Sequence, residues 1–226
     1  NKMTPALLQA ISLAPDKAQL EDLYLPYKPK RRTKAQIALE AGLAPLADAL
    51  LQNPMLNPEA EAANYLRAPF TTEQGDNPGV ADAKAALDGA RQILMERFAE
   101  DAELTGRLRT GLWEQGQLRA SLIPGKEQEG AKFSDYFDYG EALAKIPSHR
   151  ALALFRGRNQ GVLALDLIPS AGEDPDAVWI QAVANHFGIR DRGRPADAWL
   201  RETARKAWRV KLLTRLDLDL KSRLLE

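Results

Sequence analysis

Leu200, Ala204, Trp208, Leu212, Leu216, Leu220 and Leu224 recur every four residues, a spacing that lines up apolar side chains only on a helix. It predicts one helix from about Ala196 to Glu226, roughly 45 Å long at 1.5 Å per residue. Four residues overshoot a turn by about 40°, so the stripe winds around the rod and needs cover on several sides. Such a helix is a spine for other elements, and a chain that contains it is built mainly of helices. Within this predicted helix only Leu216-Asp-Leu-Asp-Leu220 reads locally like a strand.

Upstream, helix signals dominate. Thr33 followed by Gln36 has capping-box spacing, Gly42 supplies a left-handed stop, and Pro45 suits a first helical turn. Helices over about 34–41 and 45–52 joined through Gly42-Leu43-Ala44 make a helix-turn-helix-like element, with Ala38 and Gly42 small where the helices approach. Asn57-Pro58 and Asn77-Pro78 each predict a helix start. The second helix is long, with Ala86, Leu87, Ala90, Ile93, Leu94, Arg97 and Phe98 at three- and four-residue spacing, and runs to about Leu104. Gly106, Gly111 and Gly116 then weaken the pattern, leaving a turn or two around Leu108–Trp113.

Beyond the glycines the pattern mixes strand and helix. Leu118–Ile123 and Val162–Ile168 read as short strands that pair. Ser148 caps a helix to about Arg158 with Ala151, Leu152, Leu154 and Phe155 inward, although the alternation of Leu152 and Leu154 also fits a strand. Asp174-Pro175 opens a helix that Gly188 closes, with Val178, Trp179, Ala182, Val183 and Phe187 on its inner side. The expected fold is mainly α: a helical scaffold with the helix-turn-helix-like element, a small two- or three-stranded β element and a long C-terminal helix. The stretch 116–130 divides it into a helical region, 1–115, and an α+β region, 116–226.

Composition excludes several functions. The 226 residues contain no cysteine, so disulfides and thiolate metal sites are out, and a chain this long buries a core without them. His149 and His186 are the only imidazoles, too few for a zinc shell without carboxylates. Lysine plus arginine and aspartate plus glutamate both total 31, so attraction for a polyanion must come from local patches. No apolar run approaches the roughly 18 residues of a membrane span, and no signal-peptide pattern opens the chain.

Catalytic patterns fail on inspection. Gly125-Lys126 lacks the earlier glycine and the following hydroxyl of a phosphate loop: Ala120 and Glu127 stand there. Asp135, Asp138 and Glu141 could share a helix face toward a hard cation, but a solvated face opposite Phe133, Tyr136 and Phe137 is the simpler reading. No nucleophile is set beside either histidine. The chain is therefore read as a non-enzyme without cofactor or metal.

What remains is Leu20-Glu-Asp-Leu-Tyr-Leu-Pro-Tyr-Lys-Pro-Lys-Arg-Arg-Thr-Lys-Ala35. Pro26 and Pro29 fix φ and bias their neighbours toward extended geometry, so Lys28, Lys30, Arg31, Arg32 and Lys34 project from a stiff strut. Such cations bind phosphates by releasing counterions, without reading sequence. Tyr24 and Tyr27 add rings on which bases can stack, unless they pack beneath the strut. Weaker basic clusters are Arg150, Arg156 and Arg158, and Arg190, Arg192 and Arg194. A reader helix at 45–52 offers mainly Asp48 and Gln52, which disfavours base-specific recognition.

The strut and its continuation Ala-Gln-Ile-Ala-Leu-Glu-Ala-Gly-Leu-Ala-Pro-Leu-Ala-Asp-Ala-Leu, with Lys132-Phe-Ser-Asp-Tyr-Phe-Asp-Tyr139 and Ile146-Pro-Ser-His-Arg-Ala-Leu-Ala-Leu-Phe-Arg-Gly-Arg-Asn159, resemble the Tex family of bacterial transcription accessory proteins. These matches occur in family order and span most of the chain. Tex proteins are longer and carry an RNase-H-like domain, a helix-hairpin-helix module and an OB-fold RNA-binding domain. The resemblance implies an interior segment preceding the RNase-H-like domain, working in the bacterial cytoplasm. Its implied partners are RNA or DNA backbone, the transcription machinery and the remaining domains of the full-length protein. Nucleic-acid contact is then assigned to Lys28, Lys30, Arg31, Arg32, Lys34, Tyr24, Tyr27, Arg156 and Arg158. The alternative is a purely architectural or protein-docking segment.

Overall fold

The computed structural model describes residues 3–28 and 31–226. In chain order the helices are α1 Pro5–Leu13, α2 Lys17–Tyr24, α3 Lys34–Glu40, α4 Ala44–Gln52, α5 Pro58–Ala62, α6 Ala83–Ala99, α7 Ala102–Gln115, α8 Ser148–Asn159, α9 Ala177–His186, α10 Asp197–Lys206 and α11 Leu213–Arg223. The strands are β1 Phe70–Thr72, β2 Gly75–Asn77, β3 Gln117–Leu122, β4 Asp138–Ala142 and β5 Leu163–Ile168. The architecture is mainly helical with two small antiparallel sheets, of two and three strands, and a long C-terminal helix. The residues form two compact units, Asn1–Thr105 with Ile180–Leu212, and Gly106–Trp179 with Leu213–Glu226. Both residues at the expected 115/116 boundary lie in the second unit.

In the first unit α6 is the hub, and α3, α4, α5 and α10 pack on it. Ala86, Ala90, Ile93, Leu94 and Phe98 are buried as their spacing requires. Close approach is secured at Gly89, where a Cβ would lie 2.4 Å from Leu43 Cδ1 and 3.2 Å from Ala38 Cβ. Gly42 has a different role: it turns the chain between α3 and α4 at φ 84° and faces open space. Arg91 pins α6 to α10, its Nε donating to Thr203 Oγ1 at 3.1 Å and its guanidinium lying 5.1 Å from the Trp199 ring centre. Burial lowers its pKa.

Asn57 caps α5 by accepting from Ala60 N, but the helix expected at Asn77-Pro78 begins only at Ala83, capped by Asp82. Asn77 is buried at the end of β2; its amide donates to Ile37 O and Glu40 Oε2 at 3.0 Å each and its oxygen accepts from Gly79 N. The antiparallel hairpin β1–β2 that it closes has no strand-like sequence pattern. The expected helix end at Leu104 is replaced by a break after Ala99, and α7 then runs on through Gly106 and Gly111 to Gln115.

In the second unit β3 pairs antiparallel with both β4 and β5, in the order β4-β3-β5. Ala120 stands opposite Tyr139 on one side and Leu165 on the other. Leu118, Ala120, Leu163 and Leu165 form the buried face, and α8 packs against β5. Ser148 is the first residue of α8 rather than its cap, a position held by Pro147 without a side-chain bond. Leu152 is 56% exposed and Val178 54% exposed, so neither joins the inner face its spacing suggested. Asp135 lies in a 3-10 turn while Asp138 and Glu141 lie in β4, so the shared helix face is absent. Among the described residues no cluster of three or more carboxylate, imidazole or thiolate side chains could hold a metal ion.

The spine is continuous from α10 into α11, with one departure: Ala207–Leu212 is a π-helical segment. Its wider i→i+5 turn offsets the overshoot of a four-residue repeat, and all of Leu200, Ala204, Trp208, Leu212, Leu216, Leu220 and Leu224 are buried. Within the second unit Arg109 pairs with Asp219 at 2.9 Å and Lys221 Nζ donates to Leu165 O at 2.9 Å, fixing α11 to α7 and β5. Among the described residues no helix is long and apolar enough to cross a membrane.

Candidate nucleic-acid interface

The basic strut is built from a helix end and a helix start. α2 stops at Tyr24, and Leu25-Pro26-Tyr27 tightens into a 3-10 turn because Pro26 fixes φ. Lys28 follows in extended geometry, and Lys30 lies outside the described residues. On the far side Thr33 caps α3, its oxygen accepting from Gln36 N at 3.1 Å while its hydroxyl donates to Glu96 Oε2 at 3.0 Å. Both ends of the strut are therefore anchored by local hydrogen bonding.

Arg32 does not point outward as a free cation. Its Nε and Nη2 donate to the two oxygens of Glu40 at 3.1 and 2.8 Å, a bidentate fork, and Nη2 also reaches Gly75 O at 3.4 Å. The Arg32 bond, helped by Asn77, holds the Glu40 carboxyl below the usual carboxylate range, and Glu40 raises the Arg32 pKa in return. Arg32 thus fastens the strut to α3 and to the β1–β2 hairpin. Lys28, Arg31 and Lys34 are exposed and form no ion pair among the described residues. Tyr24 is 52% exposed while Tyr27 is half-buried. Beside the strut an open groove of about 430 Å³ is lined by Pro26, Lys28, Leu39, Gln74, Glu96 and Glu100, which carry both signs of charge.

The other basic clusters divide in the same way. Arg150 Nη1 donates to Glu141 Oε2 at 2.7 Å, and Tyr139 donates its hydroxyl to the same carboxylate. Burial, then the bond to Glu141, pushes the Tyr139 phenol up to about 12. Arg156 and Arg158, in the last turn of α8, are exposed, Arg158 lying 4.7 Å over the Phe155 ring. They belong to the second unit and the strut to the first. Arg194 is bound to Asp197 at 3.0 Å, and that carboxylate also accepts from the backbone N–H of Arg192 and of Arg194. The Arg194 bond, supported by those amides against the cost of burial, lowers Asp197 to about 2. Of the two polar candidates on α4, Asp48 is held by Arg97 at 2.6 Å.

Glu40 and Asn77, the residues that organise the strut, escaped the sequence reading. No local signal marks Glu40, and Asn77 looked like a helix cap.

A helical scaffold with a small sheet and a pinned basic strut defines the class of molecule. The chain belongs to the Tex family: residues 53–226 match the family described as Tex central region-like. Protein YhgF of Escherichia coli strain K12 is 51% identical over 222 residues, which is 97% of this chain and 28% of that protein. The transcriptional accessory protein Tex of Neisseria gonorrhoeae is 49% identical over 228 residues, 100% of this chain and 28% of that protein. A human protein, S1 RNA-binding domain-containing protein 1, is 28% identical over 202 residues, 86% of this chain and 19% of that protein. The chain thus spans 28% of the length of these bacterial relatives.

Proposed function

We propose that this chain is a non-catalytic scaffold segment of a cytoplasmic transcription accessory protein, contacting RNA or DNA phosphates without reading sequence. Lys28, Lys30, Arg31 and Lys34 make the contacts, Tyr24 offers a stacking face, Arg156 and Arg158 add a separate weaker patch, and Arg32 positions the strut. The observation that carries the reading is the split within one cluster: Arg32 is neutralised by Glu40, while Lys28, Arg31 and Lys34 stay exposed without a carboxylate among the described residues. Unpaired cations on an anchored backbone lose little conformational freedom on binding and displace counterions from a polyanion. The names of the relatives, transcriptional accessory protein and S1 RNA-binding domain-containing protein, agree with this chemistry.

The test is a titration with labelled single-stranded RNA and with duplex DNA at several salt concentrations, beside a Lys28→Ala/Arg31→Ala/Lys34→Ala variant. Losing three phosphate contacts flattens the log-log salt slope by about 2–3 units, at roughly 0.7–0.9 per contact. Absence of binding by the parent chain at low salt overturns the reading. That outcome would favour a purely architectural segment, a reading supported by the number of arginines matched to carboxylates, among them Arg32, Arg97, Arg109, Arg150 and Arg194.

A further inference from the structure

The three-stranded sheet has two edges, and they are built differently. Along β3 and β4, Leu122 N donates to Phe137 O and Leu143 N to Gly116 O, at the two ends of the register that sets Leu118 opposite Glu141 and Ala120 opposite Tyr139. Successive residues of an antiparallel ladder face the partner strand alternately, so Tyr139 and Glu141 turn their N–H and C=O groups toward β3 while Asp138 and Gly140 turn theirs away. Both residues are exposed, and among the described residues no strand other than β3 pairs with β4 and no group bonds to these outward N–H and C=O groups. At the other edge the same alternation turns Leu165 outward, since Ile123 N donates to Val162 O, and Lys221 Nζ caps the Leu165 carbonyl at 2.9 Å. β4 carries neither lysine nor proline, residues that commonly blunt an edge, and pairs with β3 residue for residue without a bulge.

Asp138 and Gly140 share the solvent face of the sheet, with Ser121 and Arg119 as their partners on β3. A Cβ on Gly140 would meet nothing within 4 Å, so a strand added beside β4 has room over the glycine for a large side chain. Arg119, 62% accessible, stands directly across that gap, where its guanidinium can meet a ring face. The Asp138 carboxylate is 89% accessible and only loosely held by Arg119 at 3.8 Å, which favours a cation opposite it. In an antiparallel strand that place falls two residues after the ring. We propose that β4 is a docking edge for an extended segment of a partner protein, added antiparallel, with an aromatic residue opposite Gly140 and lysine or arginine opposite Asp138. Backbone hydrogen bonds supply the affinity and the two side chains the selectivity. The proposal goes beyond the phosphate-binding reading and does not rest on it, because its ligand is a peptide.

The test is hydrogen exchange at single-residue resolution on the full-length protein, with the probe peptide acetyl-Thr-Val-Thr-Phe-Thr-Lys-Thr-Val-amide. Before the peptide is added, the Asp138 and Gly140 amides should exchange within about tenfold of an unstructured chain, and those of Tyr139 and Glu141 at least about a hundredfold more slowly. Protection of Asp138 and Gly140 in the protein alone, at any concentration, overturns the proposal, because the edge would already be filled. Peptide at about 5 mM should slow both amides at least about threefold, and the same peptide N-methylated at its phenylalanine, which lacks the donor facing Gly140 O, should leave them unchanged. No slowing by the parent peptide, or equal slowing by the methylated one, overturns the proposal. Asp138→Lys should reverse the preference, binding the peptide with glutamate in place of lysine roughly threefold more tightly than the parent peptide. An unchanged preference for lysine would overturn it as well.

Discussion

The strut at 28–34 and the loop at 190–194 are alike in sequence, each a short basic run interrupted by proline or glycine, and both lie in the first unit. Each is tied down by one arginine on one carboxylate, Arg32 on Glu40 and Arg194 on Asp197. The loop goes further: Asp197 also gathers two backbone N–H groups, and Asp191 takes Arg201 at 2.7 Å, so acids shape the loop from within. The strut spends one of its described cations on attachment and leaves Lys28, Arg31 and Lys34 without an acid among the described residues. A basic run can therefore be a fold device, a binding surface or both, and the position of nearby carboxylates decides.

Arg32→Lys tests the division of labour with the largest expected effect. Lysine keeps the charge but cannot form the bidentate fork. RNA affinity at low salt should fall about threefold to tenfold while the salt slope stays within about half a unit of the parent. A slope lower by about one unit would mean that Arg32 itself sits on phosphate, and the contrast between strut and loop would vanish.

A smaller effect is expected at the loop, where it is read as acid stability. Asp197 has a folded pKa of about 2 against an ordinary unfolded value near 3.9. Its contribution is therefore fully present above about pH 4 and is lost as pH falls toward 2, because the unfolded state takes up the proton first. Asp197→Asn should unfold in acid with up to about one fewer proton taken up in that window, measured from the pH dependence of urea midpoints. Identical proton uptake would show that the loop carboxylate does not stabilise the fold.

Much of the fold was legible where a local rule and the tertiary structure agree. Thr33 and Gln36 mark α3 because the cap is made by neighbours in sequence. The leucine stripe marks the spine, and the apolar runs around Leu118 and Leu165 mark two strands that do pair. Local rules failed where a distant partner changed the outcome. Gly111 weakens a helix by propensity, but here it leaves room for Trp179, whose ring would stand 3.0 Å from a Cβ at that position. Asn77 has a capping sequence but spends its amide on Ile37 and Glu40. Within the candidate site, the strut was visible from prolines and charges, whereas the engagement of Arg32 was not. Its partners Glu40 and Gly75 are brought to it by α3 and by a hairpin with no apolar alternation.

The most direct measurement is lysine footprinting: acetylation rates of individual lysines, read by mass spectrometry, with and without single-stranded RNA at low salt. Lys28 and Lys34 should react at least about fivefold more slowly when RNA is bound, while Lys84, exposed and 3.9 Å from Asp88, should keep its rate. Unchanged rates at Lys28 and Lys34 under conditions where RNA is bound would contradict the account.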